Sequence, residues 1–302
     1  MGRGLHALSI AIIDAATEIL ASVQPTTERS VCYKLFTCGL IANMGKNETA
    51  KVSRLLTWAR ENGSIPWQWI VDETRRSERV PQWKDPTSLM NAAASRYRRD
   101  AWQDQPFHIE IVSEKGTIRG VLGEVLDEYG ASFRVLHGFS SATTANDIAA
   151  AITGRNKRTV LLYLGDWGPS GLYMSVVDLP ERLDRYGGNN GLVAQTYGYG
   201  YTLERIALTE ADVQSGDLPS FPADTKKSDA RYKWFAAWYG ARCWELDAMD
   251  SNALRERVRE AIEKHLDRDA WEHSKHIERA EVESIDNFMI EWKRTLQQGR
   301  QS

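Results

Sequence analysis

The chain has 302 residues, 42% apolar and 26% charged, the balance of a folded protein long enough for one large or two ordinary domains. Its 38 Lys and Arg against 41 Asp and Glu give a formal net charge of −3, which excludes a uniformly basic nucleic-acid coat and a highly acidic disordered tail. Leu5–Val23 is apolar but interrupted by Asp14 and Glu18, and no run reaches the roughly 20 apolar residues of a membrane span. No secretory leader pattern precedes it, so no membrane partner is expected. Cys32, Cys38 and Cys243 cannot all pair and form no CxxC, so a cytoplasmic protein without a disulfide scaffold or zinc ribbon is expected.

In chain order, Leu5–Val23 has helical spacing and stops before Gln24-Pro25. Thr26 or Thr27 can cap a second helix, Glu28–Cys38, which Gly39 ends. A third helix over Glu48–Asn62 places Val52, Leu55, Leu56 and Ala59 on one face, with Gly63 closing it. Ile65–Val71 reads as a strand or wing. Three short helices followed by such a segment resemble a winged-helix DNA-binding module, and residues 1–105 are assigned to it. Residues 26–105 hold 13 Lys and Arg against 9 Asp and Glu, net +4, which suits a phosphate backbone but also fits ordinary surface scatter. Lys46, Lys51, Arg54, Arg75 and Arg76 are the candidate DNA contacts.

From Phe107 the pattern changes to strands alternating with helices. Strands are expected at His108–Val112, Phe133–Leu136, Thr159–Leu164 and Ala241–Leu246, with helices at Gly116–Tyr129 and Ala145–Ile152. Gly187–Gly200 reads as a long loop. This predicts an α/β domain with a mainly parallel sheet over residues 106–250. Residues 251–302 form a helical extension whose apolar stripe, Leu254, Val258, Ala261, Ile262 and Leu266, suits a dimer or interdomain contact.

In open parallel sheets functional groups gather at the carboxyl ends of strands. Glu114, Asp166, Glu245 and Asp247 fall there, and convergent carboxylates are what Mg²⁺ requires. Acidic residues at strand ends also serve as surface or helix-capping groups, and position alone does not separate the two roles. Ile111-Val112-Ser113-Glu114-Lys115 and Leu162-Tyr163-Leu164-Gly165-Asp166, followed by Pro169-Ser170-Gly171, resemble a Toprim domain. The closer similarity is to the Toprim domain of the topoisomerase VI A subunit and the meiotic double-strand-break transesterase. Trp244-Glu245-Leu246-Asp247-Ala248-Met249 resembles a Glu-Leu-Asp-Ala-Leu segment of uncharacterised bacterial and phage relatives. Arg29-Ser30-Val31-Cys32-Tyr33 is similar to the family's Arg-x-(Ile/Val)-x-Tyr, whose tyrosine attacks DNA. The matches run over residues 26–250 in the family's domain order.

The resemblance implies a Toprim topoisomerase-like enzyme or nuclease that cleaves DNA by transesterification or hydrolysis. It would use Mg²⁺ or Mn²⁺ held by Glu114 and Asp166, helped by Glu245 or Asp247. Tyr33 would be the nucleophile, with Arg29 or Lys115 neutralising charge. A homodimer is implied too, and a separate ATPase subunit wherever strand passage occurs. On a helical projection Tyr33 lies off the apolar face of its helix, beside Arg29, Ser30 and Thr37, so it reads as more than core. One departure stands out: Gly168 replaces the second Asp of the family's Asp-x-Asp turn. The alternative is therefore a DNA-binding protein with a degenerate, non-catalytic site.

Overall fold

A computed structural model describes residues 6–71, 80–136, 142–189, 195 and 198–298. Arg75, Arg76 and much of the Gly187–Gly200 loop lie outside the described residues. The chain is mixed α/β and divides into two units, Met1–Thr74 with Ile109–Lys264, and Arg75–His108 with His265–Ser302. Both units are discontinuous in sequence, each built from two separate stretches of chain.

In the larger unit, α1 (Ala7–Val23), α2 (Glu28–Thr37) and α3 (Lys46–Glu61) share one core. Ile12, Ala16 and Leu20 pack with Val31, Cys32, Leu35, Val52, Leu56 and Ala59, all essentially removed from water. Each such Leu, Ile or Val contributes about 1.5–3 kcal/mol. Thr27 caps α2 by accepting the Ser30 N–H at 3.0 Å, and Gly39 and Gly63, at φ 72° and 76°, follow α2 and α3. Strand β1 (Thr26–Thr27) pairs in parallel with β2 (Ile70–Val71), so only the end of Ile65–Val71 is a strand. Trp67–Trp69 forms a 3₁₀ turn before it.

The same unit holds a parallel sheet of β3 (Phe107–Ser113), β4 (Ser132–Val135), β5 (Arg158–Leu164) and β6 (Tyr201–Ala207), in the order β4-β3-β5-β6. β5 is buried from Thr159 to Leu164, as its unbroken apolar run requires of a strand covered on both faces. The expected helix Gly116–Tyr129 is two, Thr117–Val121 and Gly123–Tyr129. The expected strand Ala241–Leu246 shrinks to β8 (Arg242–Cys243), which pairs antiparallel with β7 (Phe221–Pro222) outside the main sheet. Helix Ser251–Glu263 buries Leu254, Val258 and Ile262 and packs on β6 and on helix Gly123–Tyr129. That part of the apolar stripe is therefore used within this unit. Among the described residues no helix is long and apolar enough to cross a membrane.

The smaller unit joins helix Pro86–Arg96 to the long helix Arg268–Gln298. Trp102 and Trp271 meet with ring centroids 5.7 Å apart, and Glu281 accepts from Tyr97 Oη at 2.7 Å and Arg99 Nη1 at 3.0 Å.

Candidate functional site

β3 and β5 are neighbours, and the residues that follow them face each other. Asp166 donates its backbone N–H to Glu114 Oε1 at 2.9 Å. Burial, then the neighbouring Asp166 carboxylate, raises the Glu114 carboxyl above its usual range. Gly171 permits this approach: a Cβ there would stand 2.4 Å from the Asp166 carbonyl oxygen and 3.0 Å from Glu114 Oε1. Gly171→Ala is expected to cost about 1–3 kcal/mol through that backbone collision. Thermal unfolding of the purified variant measures it, and an unchanged midpoint would contradict the close approach.

Arg205, projecting from β6, braces the same turn. Its guanidinium donates to the carbonyls of Gly165 and Asp166 at 2.6 and 2.5 Å, to Leu208 O at 2.5 Å, and to Ser175 Oγ at 2.8 Å. It also lies 5.2 Å from the Tyr163 ring centroid. Arg205 thereby pairs the Asp166 and Leu208 carbonyls and adds a second bond to the Gly165 carbonyl, which already accepts the Leu208 N–H at 2.9 Å, at the expense of a buried charge.

Glu245 and Asp247 arrive from a different direction. Trp167 and Trp244 exchange backbone hydrogen bonds, each 2.9 Å, which ties the segment after β8 to the turn after β5. The Leu246 N–H then donates to Asp166 Oδ1 at 2.7 Å. Lys115 Nζ lies 2.7 Å from both Asp166 Oδ1 and Asp247 Oδ2, while Thr27 Oγ1 donates to Asp247 Oδ1 at 2.6 Å. Burial disfavours the ionised Asp247, but Lys115 and Thr27 outweigh it and hold the carboxyl below its usual range. Burial likewise opposes the Lys115 charge, and the two aspartates reverse the effect and raise its pKa.

α2 docks onto this segment through its polar face. Arg29 makes a two-pronged pair with Glu245, its Nη2 donating to Oε1 at 2.7 Å. Lys34 meets Asp250 at 2.5 Å, and Thr26 meets Ser251 at 2.5 Å. Burial pushes the Glu245 carboxyl up, and the Arg29 hydrogen bonds and Lys115 bring it below its usual range. Arg255 strengthens the junction by donating to the carbonyls of Val121 at 2.9 Å and Pro25 at 2.5 Å.

Tyr33 departs from expectation here. It lies off the α1–α3 core as its helical position predicts, yet only 4% of it is exposed, because the segment after β8 covers that face of α2. Burial, followed by the Glu245 charge, pushes the Tyr33 phenol well above 10. Arg29 stands 5.8 Å from its ring centroid.

Two hollows flank the Arg29–Glu245 pair. A cleft of about 750 Å³ is lined by Arg29, Lys46, Arg60, Lys115, Asp166 and Asp247 among others. Lys46, Thr49, Ala50 and Ser53 supply one stripe of α3 to it, and Lys51 and Arg54 do not line it. Tyr33 lines the other hollow, as do Arg29 and Glu245.

The carboxylates separate into two kinds as metal ligands. Glu114 Oε2 and Asp166 Oδ2 have no partner among the described residues, and two adjacent carboxylates suit one Mg²⁺, whose other ligands are water and phosphate oxygens. Glu245 and Asp247 do not fit the metal role expected of them, because Arg29, Lys115 and Thr27 occupy their oxygens. Among the described residues no group of three or more His, Cys, Asp or Glu is arranged to hold a metal ion. Gly168 supplies no carboxylate.

The sequence singled out Thr27 only as a candidate helix cap, and Arg205 and Arg255 not at all. Arg205 sits in Tyr201–Ala207, where Glu204-Arg205-Ile206 breaks the alternation begun by Tyr201, Thr202 and Leu203. Comparison with protein-family models and with curated proteins returns no match.

Proposed function

We propose that the cleft binds a DNA strand and cleaves its backbone with one Mg²⁺ or Mn²⁺ held by Glu114 and Asp166, as in a Toprim domain served by a winged-helix-like module. The observation that carries this reading is the pair of adjacent carboxylates at the ends of β3 and β5, each with one unpartnered oxygen, where Asp166 meets a cleft lined by four cations. The bound metal would act as a Lewis acid on a phosphoryl oxygen. Lys46 and Arg60 line the cleft where a strand's phosphates would lie. Lys115, fixed beside Asp166, stabilises negative charge developing on the phosphoryl group.

Hydrolysis is the branch this geometry favours. Tyr33 does not line the cleft, and its phenol is buried and held protonated, so an activated water is the better nucleophile. A second reading, DNA binding without cleavage, is favoured by Gly168 together with the closure of Asp247 and Glu245 by Lys115 and Arg29.

Supercoiled plasmid incubated with the protein and Mg²⁺ or Mn²⁺, then denatured with SDS, separates these readings. Hydrolysis yields nicked or linear DNA that disappears with EDTA or Glu114→Ala and persists in Tyr33→Phe. DNA carrying attached protein, lost in Tyr33→Phe, would establish transesterification instead. Intact plasmid alongside salt-sensitive binding would establish the binding protein.

A further inference from the structure

The second hollow, about 530 Å³, has a chemistry of its own. Its walls include Tyr33 and Phe36 of α2, Met44 of the α2–α3 connection and Phe221 of β7. It lies within the size range of small-molecule sites, and it shares Arg29 and Glu245 with the larger cleft. Asn43, Ser220 and Lys226 bring donors to it, while Thr225 Oγ1, which donates to Pro222 O at 2.8 Å, is left as an acceptor. Asn43 Oδ1 accepts the Gly45 N–H at 2.9 Å, which leaves the side-chain NH₂ to donate. Ser220 Oγ accepts from Arg242 at 2.7 Å, which leaves its own hydroxyl hydrogen. Lys226 Nζ lies 5.7 Å from the Phe221 ring centroid. Glu245 is engaged by Arg29 through both of its oxygens.

We infer that this pocket receives one unpaired nucleobase with an oxygen at its 4- or 6-position, thymine or guanine, from the strand whose backbone occupies the adjoining cleft. Aromatic and thioether walls suit the faces of a planar base, and the donors suit thymine O4 or guanine O6, where cytosine and adenine carry an amino group that is itself a donor. The shared Arg29–Glu245 wall places the base beside its own backbone. This rests on the DNA-binding half of the proposed function and is independent of cleavage.

The test uses the full chain in EDTA, with fluorescence anisotropy on dye-labelled single strands of equal length: oligo-dT, oligo-dC and a backbone of abasic sites. The pocket predicts oligo-dT bound about 10-fold more tightly than the abasic strand, and more tightly than oligo-dC. Phe36→Leu and Phe221→Leu keep apolar bulk and remove the ring face, so they should shrink the dT-over-abasic ratio. Asn43→Ala should shrink the dT-over-dC ratio, and Lys46→Ala should weaken all three strands alike. Equal binding of dT and abasic strands overturns the base pocket and leaves DNA binding standing. Ratios unchanged in folded Leu variants also overturn it. Binding of no strand overturns both readings. Displacement of bound oligo-dT by excess thymidine monophosphate would reassign the pocket to a free nucleotide and overturn the strand-borne base.

Discussion

Lys115→Met is expected to destabilise the protein by about 3 kcal/mol at pH 7, because it leaves Asp166 and Asp247 facing each other without the ammonium that bridges them. Asp247 is only 6% exposed, so water replaces little of what is lost. The pH dependence has a definite sign. Asp247 titrates below its usual range in the folded protein, so its pairing stabilises the fold above the unfolded carboxylate value near 4 and is lost as pH falls through the folded value. Lys115 titrates above its usual range, so its contribution is complete below roughly pH 10 and lost as pH rises through the folded value. The stability gap between wild type and variant should be widest between those limits and should close towards acid. Urea unfolding from pH 3 to pH 8 measures this. A gap that stays constant across the range would sink the ion-pair account.

The same variant tests the metal assignment. With Lys115 gone, Asp166 Oδ1 keeps only the Leu246 N–H and Oδ2 stays without a partner, so the carboxylate is freer to meet a cation beside Glu114. Millimolar Mg²⁺ should then raise the melting temperature of Lys115→Met more than that of wild type, since a ligand that binds only the folded state stabilises it by mass action. No rise in either protein would argue against a divalent ion at this place.

Gly168→Asp is expected to tighten Mn²⁺ binding by about 10-fold or more by returning the missing carboxylate. The backbone at Gly168 is extended, at φ −167° and ψ 178°, which any residue adopts. A Cβ there would meet only Cys243, at 3.5 Å from Sγ and 3.9 Å from Cβ, ordinary contact distances. Glycine is therefore not required for the fold, and the substitution tests chemistry rather than packing. Gly168 lines a small hollow with Glu114, Asp166 and Lys226, so the new carboxylate joins the existing pair. Electron paramagnetic resonance titration of Mn²⁺ reads the change. Equal affinity in a folded Gly168→Asp protein would mean that Gly168 is not what limits the site.

Much of the larger unit was legible because its elements are periodic. α1–α3, β3 and β5 carry apolar residues at spacings that belong to one kind of secondary structure, with Thr27 and Gly39 marking the ends of α2. β6 was missed because Glu204 and Arg205 interrupt its apolar character. β8 was overextended because Trp244 and Leu246 look strand-like, whereas Glu245 begins a turn that follows Asp166 rather than a neighbouring strand. The expected boundaries at 105 and 250 follow changes in local pattern, and local pattern cannot show that Gln105 pairs with Asp267 within the smaller unit, its Nε2 donating to Asp267 O at 3.0 Å.

By itself, the sequence determined that acidic side chains would stand at the ends of β3 and β5, since strand register and the turn chemistry of Gly165–Gly171 are local. It also determined that Tyr33 would leave the α1–α3 core, since helical geometry decides which residues share a face. Only the tertiary structure decided what covers that face, and which cation neutralises which carboxylate. Lys115, Arg29 and Thr27 reach partners more than 100 residues away in the chain. Charge pairing of this kind depends on distance and burial in the folded protein, and neither quantity is written in the spacing of residues along the chain.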